Sequence, residues 1–510
     1  MKDYSIIIVG GGIAGLYTAC KLQSNGIKDI LIIDKTDHLG GRIKTINYKK
    51  LIYEAGAARF SKHHIELINL LKELKLYETK VRLDHTITYI DRHSNILLNK
   101  FLPILKNIVR DSKKLTKSEL LSTTLEKLCY KLYGDKTRKE FVNSYHYYSE
   151  LYTLNSFEAL QLLKTYSNEE ELFYILNGGL SQIIDRLHKK FKSNGGNIIL
   201  NTKLDTLEYV DDLFMVSCTK NDKIKIYESN NVILTIGKTE LKKLTILKPI
   251  SRYLNAVKEQ SLLRIYAIYP KDTITNRVWF EDTGKVVTDL PIKFVIPIDY
   301  SSGLIMISYT DGKYAEYMSK KISNNTIETI IADNLSKLFP DKTIPKPSDL
   351  KYYYWTNGVA YWKPGLLDSR IIYEKMIQPL DIPLYICGEN YSNIQGWIEG
   401  ALVTSNKVID KIITIHKGGK TKNKTKTKTK TKTKYYTLNE VKKHSAKNDA
   451  WIVIDEKVYN VTKWIPNHPG GDIIMHGVGT DASKMFKDYN HSTGARKRLQ
   501  KFYIGDLLNT

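Results

Sequence analysis

Ser5-Ile-Ile-Ile-Val9 is almost wholly apolar, runs straight into Gly10-Gly-Gly-Ile-Ala-Gly15, and continues as a periodic segment, Leu16 to Leu22. An unbroken apolar run of this length predicts a strand buried on both faces, as in a parallel sheet, and the periodicity after it predicts a helix. Strand, glycine turn and helix in that order fit few architectures outside the α/β class. Gly10 permits the tight turn, Gly12 lets backbone amides close on a pyrophosphate at the positive end of the helix, and Gly15 lets helix and strand pack closely. With Ala14, these are the candidate cofactor contacts of the turn. A second strand, 29 to 33, ends at Asp34, whose carboxylate suits ribose hydroxyls. A dinucleotide is expected, NAD or FAD; a glycine turn without a ligand is the alternative.

At 510 residues the chain exceeds what one core serves, so two or three domains are expected. The formal charge of +24 points toward nucleic acid until its placement is read. Nine lysines without an acid lie between 417 and 434, the segment after them carries a surplus of three, and residues 1–416 keep +12. No arginine-aromatic nucleic-acid module accompanies them, so weak polyanion attraction is the expectation. Cys20, Cys129, Cys218 and Cys387 show no paired spacing, which suits a reducing compartment. No signal peptide and no membrane-spanning run is recognisable. The expectation is a soluble, intracellular protein, cytoplasmic or packaged with a particle.

The residues after Asp34 narrow the cofactor. Asp34 to Thr45, DKTDHLGGRIKT, resembles the GGR segment of the flavin-dependent amine oxidase family, which includes monoamine, polyamine and L-amino-acid oxidases. The resemblance implies that Gly40 and Gly41 approach the dinucleotide and that Arg42 meets phosphate, where a charge-assisted bidentate contact suits arginine. A surface ion pair is the other reading of Arg42. Residues 384–401, LYICGENYSNIQGWIEGA, look like the family's C-terminal flavin segment. By that likeness Gly388 and Glu389 reach the ribityl or pyrophosphate region, Trp397 and Ile398 lie beside the flavin ring, and a helix N-terminus faces it. Asn177-Gly-Gly-Leu-Ser181, with strands at 197–200 and 231–236, is similar to the family's middle segment, where the backbone near Leu204 meets adenine.

The resemblance spans roughly residues 3 to 415 and implies a discontinuous α/β, Rossmann-like FAD-binding domain built from about 1–90, 178–250 and 380–416. An α+β substrate domain is inserted at about 91–177, a helical lobe, and 251–379, a sheet over the flavin. Family chemistry is hydride transfer from the carbon bearing nitrogen to flavin, giving an imine. The amine must be neutral, which an apolar, aromatic-walled site favours. Trp397 falls at one wall of the family's aromatic cage. The segment 355–365, WTNGVAYWKPG, brings Tyr361 and Trp362 as either the opposite wall or core. Asn357 and Gly358 stand where monoamine oxidases attach flavin through cysteine, so noncovalent FAD is expected. The family's lysine near the flavin corresponds to Arg264, which cannot be neutralised and puts fast reaction with oxygen in doubt. Gly56-Ala57-Ala-Arg59 is similar to the L-amino-acid oxidase segment whose arginine grips a substrate carboxylate, and Gly396-Trp-Ile-Glu399 to their Gly-Trp-Ile-acid segment. Bonding of Arg59 to FAD or to backbone is the alternative.

Residues 435–508 resemble cytochrome b5, a small α+β haem domain: Ala450-Trp-Ile-Val-Ile-Asp455, His468-Pro-Gly-Gly471, His491-Ser and Phe502-Tyr-Ile-Gly-Asp506. That likeness implies haem b held by His468 and His491 from both sides, leaving electron transfer as its chemistry. Asn490 replaces the usual glycine before the second histidine. Between the regions, Lys417 to Lys434 has mutual charge repulsion and no apolar content, and reads as a disordered tether. Stretched, it reaches on the order of 60 Å, or roughly 25 Å as a coil, for a millimolar effective concentration.

The reading is therefore an FAD-dependent oxidoreductase acting on a small amine or amino acid, with onward transfer to the fused haem and oxygen or another acceptor at the end. The alternatives are a desaturase- or porphyrinogen-oxidase-like flavoprotein, and a non-enzymatic component that retains its cofactors.

Overall fold

The computed structural model describes residues 2–83, 86–98, 100–166, 172–422, 434–468, 470–489, 491, 495 and 498–508. The chain divides into two compact units, Met1–Lys417 and Gly418–Thr510.

The first unit is organised by two seven-stranded sheets. In one, Lys2–Val9 lies between Ile30–Ile33 and Lys223–Leu234, parallel to both, and Leu384–Ile386 joins the far edge of Lys223–Leu234, also in parallel. Tyr4, Ile7, Val9, Leu31 and Ile33 face one core while Ile6, Ile8, Ile30 and Ile32 face another. This two-sided burial is why the run carries no alternation. The second core receives helix Ile13–Ser24, Ser181–Ser193 and the start of Ile398–Lys422. Parallel strands from residues 2, 30, 223 and 384 end side by side, which opens a crevice at their C-terminal ends.

In the other sheet Val257–Ile268 pairs with Asp349–Trp362 and Leu304–Asp311, with Phe294–Asp299, Lys285–Val287 and Ile87–Ile90 beyond them. Helices between 101 and 166 form a lobe under it. The early strand is longer than the apolar run, starting at Lys2, and the second begins at Ile30 because Asp29 takes a left-handed backbone (φ 61°) and its carboxylate accepts from Ser5 N.

One expectation needs correction. Helix Ile398–Lys422 extends six residues into the segment read as a disordered tether, of which residues 423–433 lie outside the described residues. Adding turns to an established helix is far easier than starting one.

In the second unit, five strands are ordered Tyr435–Tyr436, Tyr503–Leu507, Lys457–Asn460, Asp449–Ile454 and Ser445–Ala446. Helix Leu438–Lys442 starts with a capping box between Thr437 and Glu440. Ile452, Ile454, Val461 and Ile465 form a core beneath short turns that present the two histidines.

Candidate functional site

A cavity of about 1160 Å³ opens at the C-terminal ends of the parallel strands and runs under the second sheet. It exceeds the ~300–1,000 Å³ of ordinary small-molecule pockets. Gly10, Gly12, Ala14 and Asp34 line one end, with Gly40, Gly41 and Arg42 beside them. The backbones of Gly12 and Gly40 bridge, and Gly40 N donates to Gly11 O at 3.0 Å, so two glycine turns make one wall. A Cβ on Gly12 would meet nothing nearer than Gly40 O at 3.8 Å, whereas one on Gly15 would collide with the Gly10 carbonyl. Gly12 therefore faces open space; Gly15, absent from the cavity wall, permits helix–strand packing. Gly12 also caps helix Ile13–Ser24 without a side-chain hydrogen bond, leaving first-turn amides for a ligand.

Asp34 is more committed than its motif suggests. Its carboxylate accepts from Gly11 N at 2.6 Å and from Thr36 N and Oγ1 at 2.8 and 2.6 Å, so a ribose would add to existing bonds. Arg42 pairs with buried Glu389 at 2.6 Å, and the other Glu389 oxygen accepts from Ala360 N and Gly396 N. One carboxylate thus ties three distant segments together. Leu204, beside an irregularity in strand Lys203–Val210, lines the cavity, as do Gly56, Ala57, Gly388 and Ile398.

At the other end Arg59, Arg264, Tyr361 and Trp397 line the same space. The Arg59 guanidinium lies 4.4 Å from the Phe173 ring centre and 5.9 Å from that of Trp397, and Nη2 donates to the Tyr147 hydroxyl at 3.0 Å. Trp397 stacks on Phe173, centroids 5.9 Å apart. Tyr361 and Trp362 separate in role: Trp362 is core, with Nε1 donating to Ser392 O at 2.9 Å, while Tyr361 faces the cavity and its hydroxyl donates to Glu150 Oε1 at 3.1 Å. Arg264 is buried, donates to the Glu54 carbonyl at 2.8 Å and lies 4.8 Å from the Tyr309 ring centre. Glu399 is not at the site; its carboxylate caps helix Ile65–Glu73 through Glu66 N and Leu67 N.

In the second unit the His468 and His491 rings face each other, centroids 6.2 Å apart. His468 Nδ1 lies 3.1 Å from Gly471 O and His491 Nδ1 3.0 Å from Phe486 O. A carbonyl can only accept, so each Nδ1 carries the proton and each Nε2 keeps its lone pair. Pro469, Asn490 and Ser492 lie outside the described residues.

The family model for flavin-containing amine oxidoreductases matches residues 13–413. The chain belongs to this family. Within that assignment, a structure of a putrescine oxidase variant matches with TM-score 0.63 and 16% identity, over 81% of this chain and 99% of that one, and a second variant with TM-score 0.65 and 15% identity. Likeness at that identity speaks for the fold. The cytochrome b5-like haem/steroid-binding model matches residues 437–508. Cytochrome b5 of Oryza sativa subsp. japonica is 48% identical over 73 residues, 14% of this chain and 53% of that protein, and isoform D of Arabidopsis thaliana 49% identical, over 14% and 52%. Acyl-lipid (8-3)-desaturase B of Dictyostelium discoideum is 51% identical over 69 residues, 13% of this chain and 15% of that protein. The chain spans about half the length of the curated cytochromes it matches.

The cofactors of this amine oxidoreductase are FAD and haem, and the geometry suits both. The glycine-walled crevice, its open Gly12 and its uncapped helix fit a dinucleotide, and no cysteine stands among the described residues lining the cavity. A metal–imidazole bond is about 2 Å and a ring centre lies about 1 Å behind its nitrogen, so two rings gripping one iron stand about 6 Å apart. Among the described residues, no helix is long and apolar enough to cross a membrane. Sequence motifs pass over Tyr147 and Glu150, from the helical lobe, and Lys285, all on the cavity wall. Burial pushes Glu150 up to about 7 against its bonds to Tyr145 and Tyr361, and pulls Lys285 down to about 7 with the Arg59 charge adding.

Proposed function

We propose that the first unit oxidises an amino acid, or an amine carrying a carboxylate, to the imine, and that the electrons pass to the haem of the second. The observation that carries this is Arg59 beside Trp397 in the cavity that also holds the glycine cradle. Bound FAD supplies the hydride acceptor. Gly10, Gly12, Gly40 and Gly41 give it backbone contact, with Arg42 available to phosphate and Leu204 near the far end of the wall. Arg59 pairs with the substrate carboxylate, while Trp397 and Phe173 exclude water from the carbon bearing nitrogen.

The substrate ammonium has to lose a proton first. Glu150, hydrogen-bonded to the Tyr361 hydroxyl and poised near neutrality, accepts it through that hydroxyl. Arg264 stays charged and positions the Glu54 carbonyl and the Tyr309 ring. A diamine, the substrate for which the structural relatives are named, fits less well. Its second ammonium would share the cavity with Arg59, Arg264 and Lys285, while among the described residues Glu54 is bonded to Leu180 N and Thr45 and Asp311 to Tyr148 N and Ser149 N.

Anaerobic stopped-flow mixing with a panel of amino acids and diamines tests the reading, with flavin and haem absorbance followed together. Flavin bleaching by amino acids, then haem reduction that slows when residues 417–510 are supplied as a separate protein, is expected. Bleaching by diamines alone would overturn the substrate assignment, and equal haem rates for the tethered and separated forms would overturn the transfer.

A further inference from the structure

The buried carboxylate of Glu150 carries a tyrosine hydroxyl on each of its oxygens. Tyr361, on the cavity wall near the end of strand Asp349–Trp362, donates to Oε1 at 3.1 Å. Tyr145 donates to Oε2 from the helical lobe, off the cavity wall. Aromatic packing fixes the second hydroxyl. The Tyr145 ring stacks on Phe101, centroids 4.1 Å apart, and Phe101 stacks in turn on Phe141 at 5.0 Å, so helices Phe101–Asp111 and Leu125–Asn143 both bear on it. Glu150 lies in the short helix Tyr148–Tyr152, whose first two amides, Tyr148 N and Ser149 N, donate to the two oxygens of Asp311 at 2.8 and 2.7 Å. Donor and acceptor are thus brought together by separate anchors, one aromatic and one polar.

Two hydroxyls on one carboxylate set its plane and favour its charge, because charge-assisted bonds to the ionised form are the stronger ones. Burial opposes that charge and so does Asp311, while the Arg59 guanidinium supports it. Tyr147, in the same turn as Tyr145, is held neutral by burial. Without the Tyr145 bond, burial would leave the proton on Glu150 at a pH where the substrate ammonium has to give one up.

We propose that Tyr145 is a positioning residue for proton removal from the substrate: its hydroxyl keeps Glu150 Oε1 turned toward Tyr361 and stabilises the carboxylate, without itself reaching the cavity. The inference rests on the proton-accepting role of Glu150 given above and adds the residue on which that role depends. In the step itself the substrate ammonium passes a proton to the Tyr361 oxygen as the Tyr361 proton moves to Glu150 Oε1, leaving a neutral amine and a neutral acid. Tyr145 keeps its own proton throughout.

Infrared titration of the FAD-loaded full chain tests it, the carbonyl stretch of protonated Glu150 being assigned by its loss in Glu150→Gln. Tyr145→Phe, which keeps the ring and its stack, is expected to move the Glu150 midpoint up by about one pH unit or more, a roughly tenfold change in proton affinity and the scale of one charge-assisted bond. Replacement of Tyr145 by 3-fluorotyrosine, a stronger donor, should move it down, and this variant decides if Tyr145→Phe fails to fold. An unmoved midpoint in either overturns the proposal. In stopped-flow mixing with the same panel of amino acids and diamines, the pH limb of flavin bleaching should shift with the infrared midpoint, which a loss of packing alone would not cause. A moved midpoint with an unmoved limb overturns the role of Tyr145 and leaves that of Glu150 standing if Glu150→Gln loses the limb. A limb that survives Glu150→Gln overturns both.

Discussion

The haem site rests on two side chains 23 positions apart, set face to face by short turns. The flavin cradle instead rests largely on absent side chains, with glycines at 12, 40 and 388 brought together from nearly four hundred positions. Side-chain ligation is separable from folding, because the imidazoles project from turns above a core that does not need them. A backbone cradle is the fold itself, since the glycines that admit the ligand share their turn with one that admits a helix against a strand. Loss of a ligand should empty the first site, and loss of a glycine should either empty or unfold the second, according to which way its Cβ points.

The largest effect is expected from His468→Ala, which should abolish the haem absorbance band while flavin content stays unchanged in the same purified sample. A parallel loss of flavin would break the contrast. Next, Gly12→Val should fill open space and weaken FAD retention at least tenfold with little change in melting, whereas Gly15→Val should also cost about 3 kcal/mol by overpacking. Dialysis and thermal unfolding of both variants separate the two roles. Glu389→Ala leaves Ala360 N and Gly396 N without their acceptor and should cost about 3 kcal/mol in the first unit alone. A shift in haem-unit melting would refute that confinement.

The smallest effect concerns pH. Glu150 is raised from 4.5 to about 7, so the folded state holds its proton more tightly than the unfolded chain, and stability falls as pH rises through that interval. Between pH 5.5 and 8 the unaltered protein should lose about 2 kcal/mol relative to Glu150→Gln. The same variant should lose the limb of kcat/KM that rises with pH near neutrality; an unchanged profile would remove Glu150 from the proton path.

Legibility divides along the same line. Ile6 to Val9 and the glycines after it announce strand, turn and helix because backbone chemistry leaves a local signature. Trp397 and Arg59, singled out through family motifs, both line the cavity, although the stacking of Trp397 on Phe173 had no signature in the sequence. Asp34, Arg42 and Glu389 were named for contacts with a ligand, but the structure shows each also bonded within the protein. Glu399, part of a substrate-site motif, serves as a helix cap. The helix running on to Lys422 was hidden because lysine and threonine repeats look the same whether or not a helix precedes them.

By itself the amino-acid sequence determined the two cofactor modules and their order, because glycine turns and paired imidazoles are properties of short segments. Only the tertiary structure decided that Tyr147, Glu150 and Lys285 share a cavity with Arg59. They come from a helical lobe and an inserted sheet, and their burial, and with it the shifted protonation of Glu150 and Lys285, exists only once those elements close over the crevice.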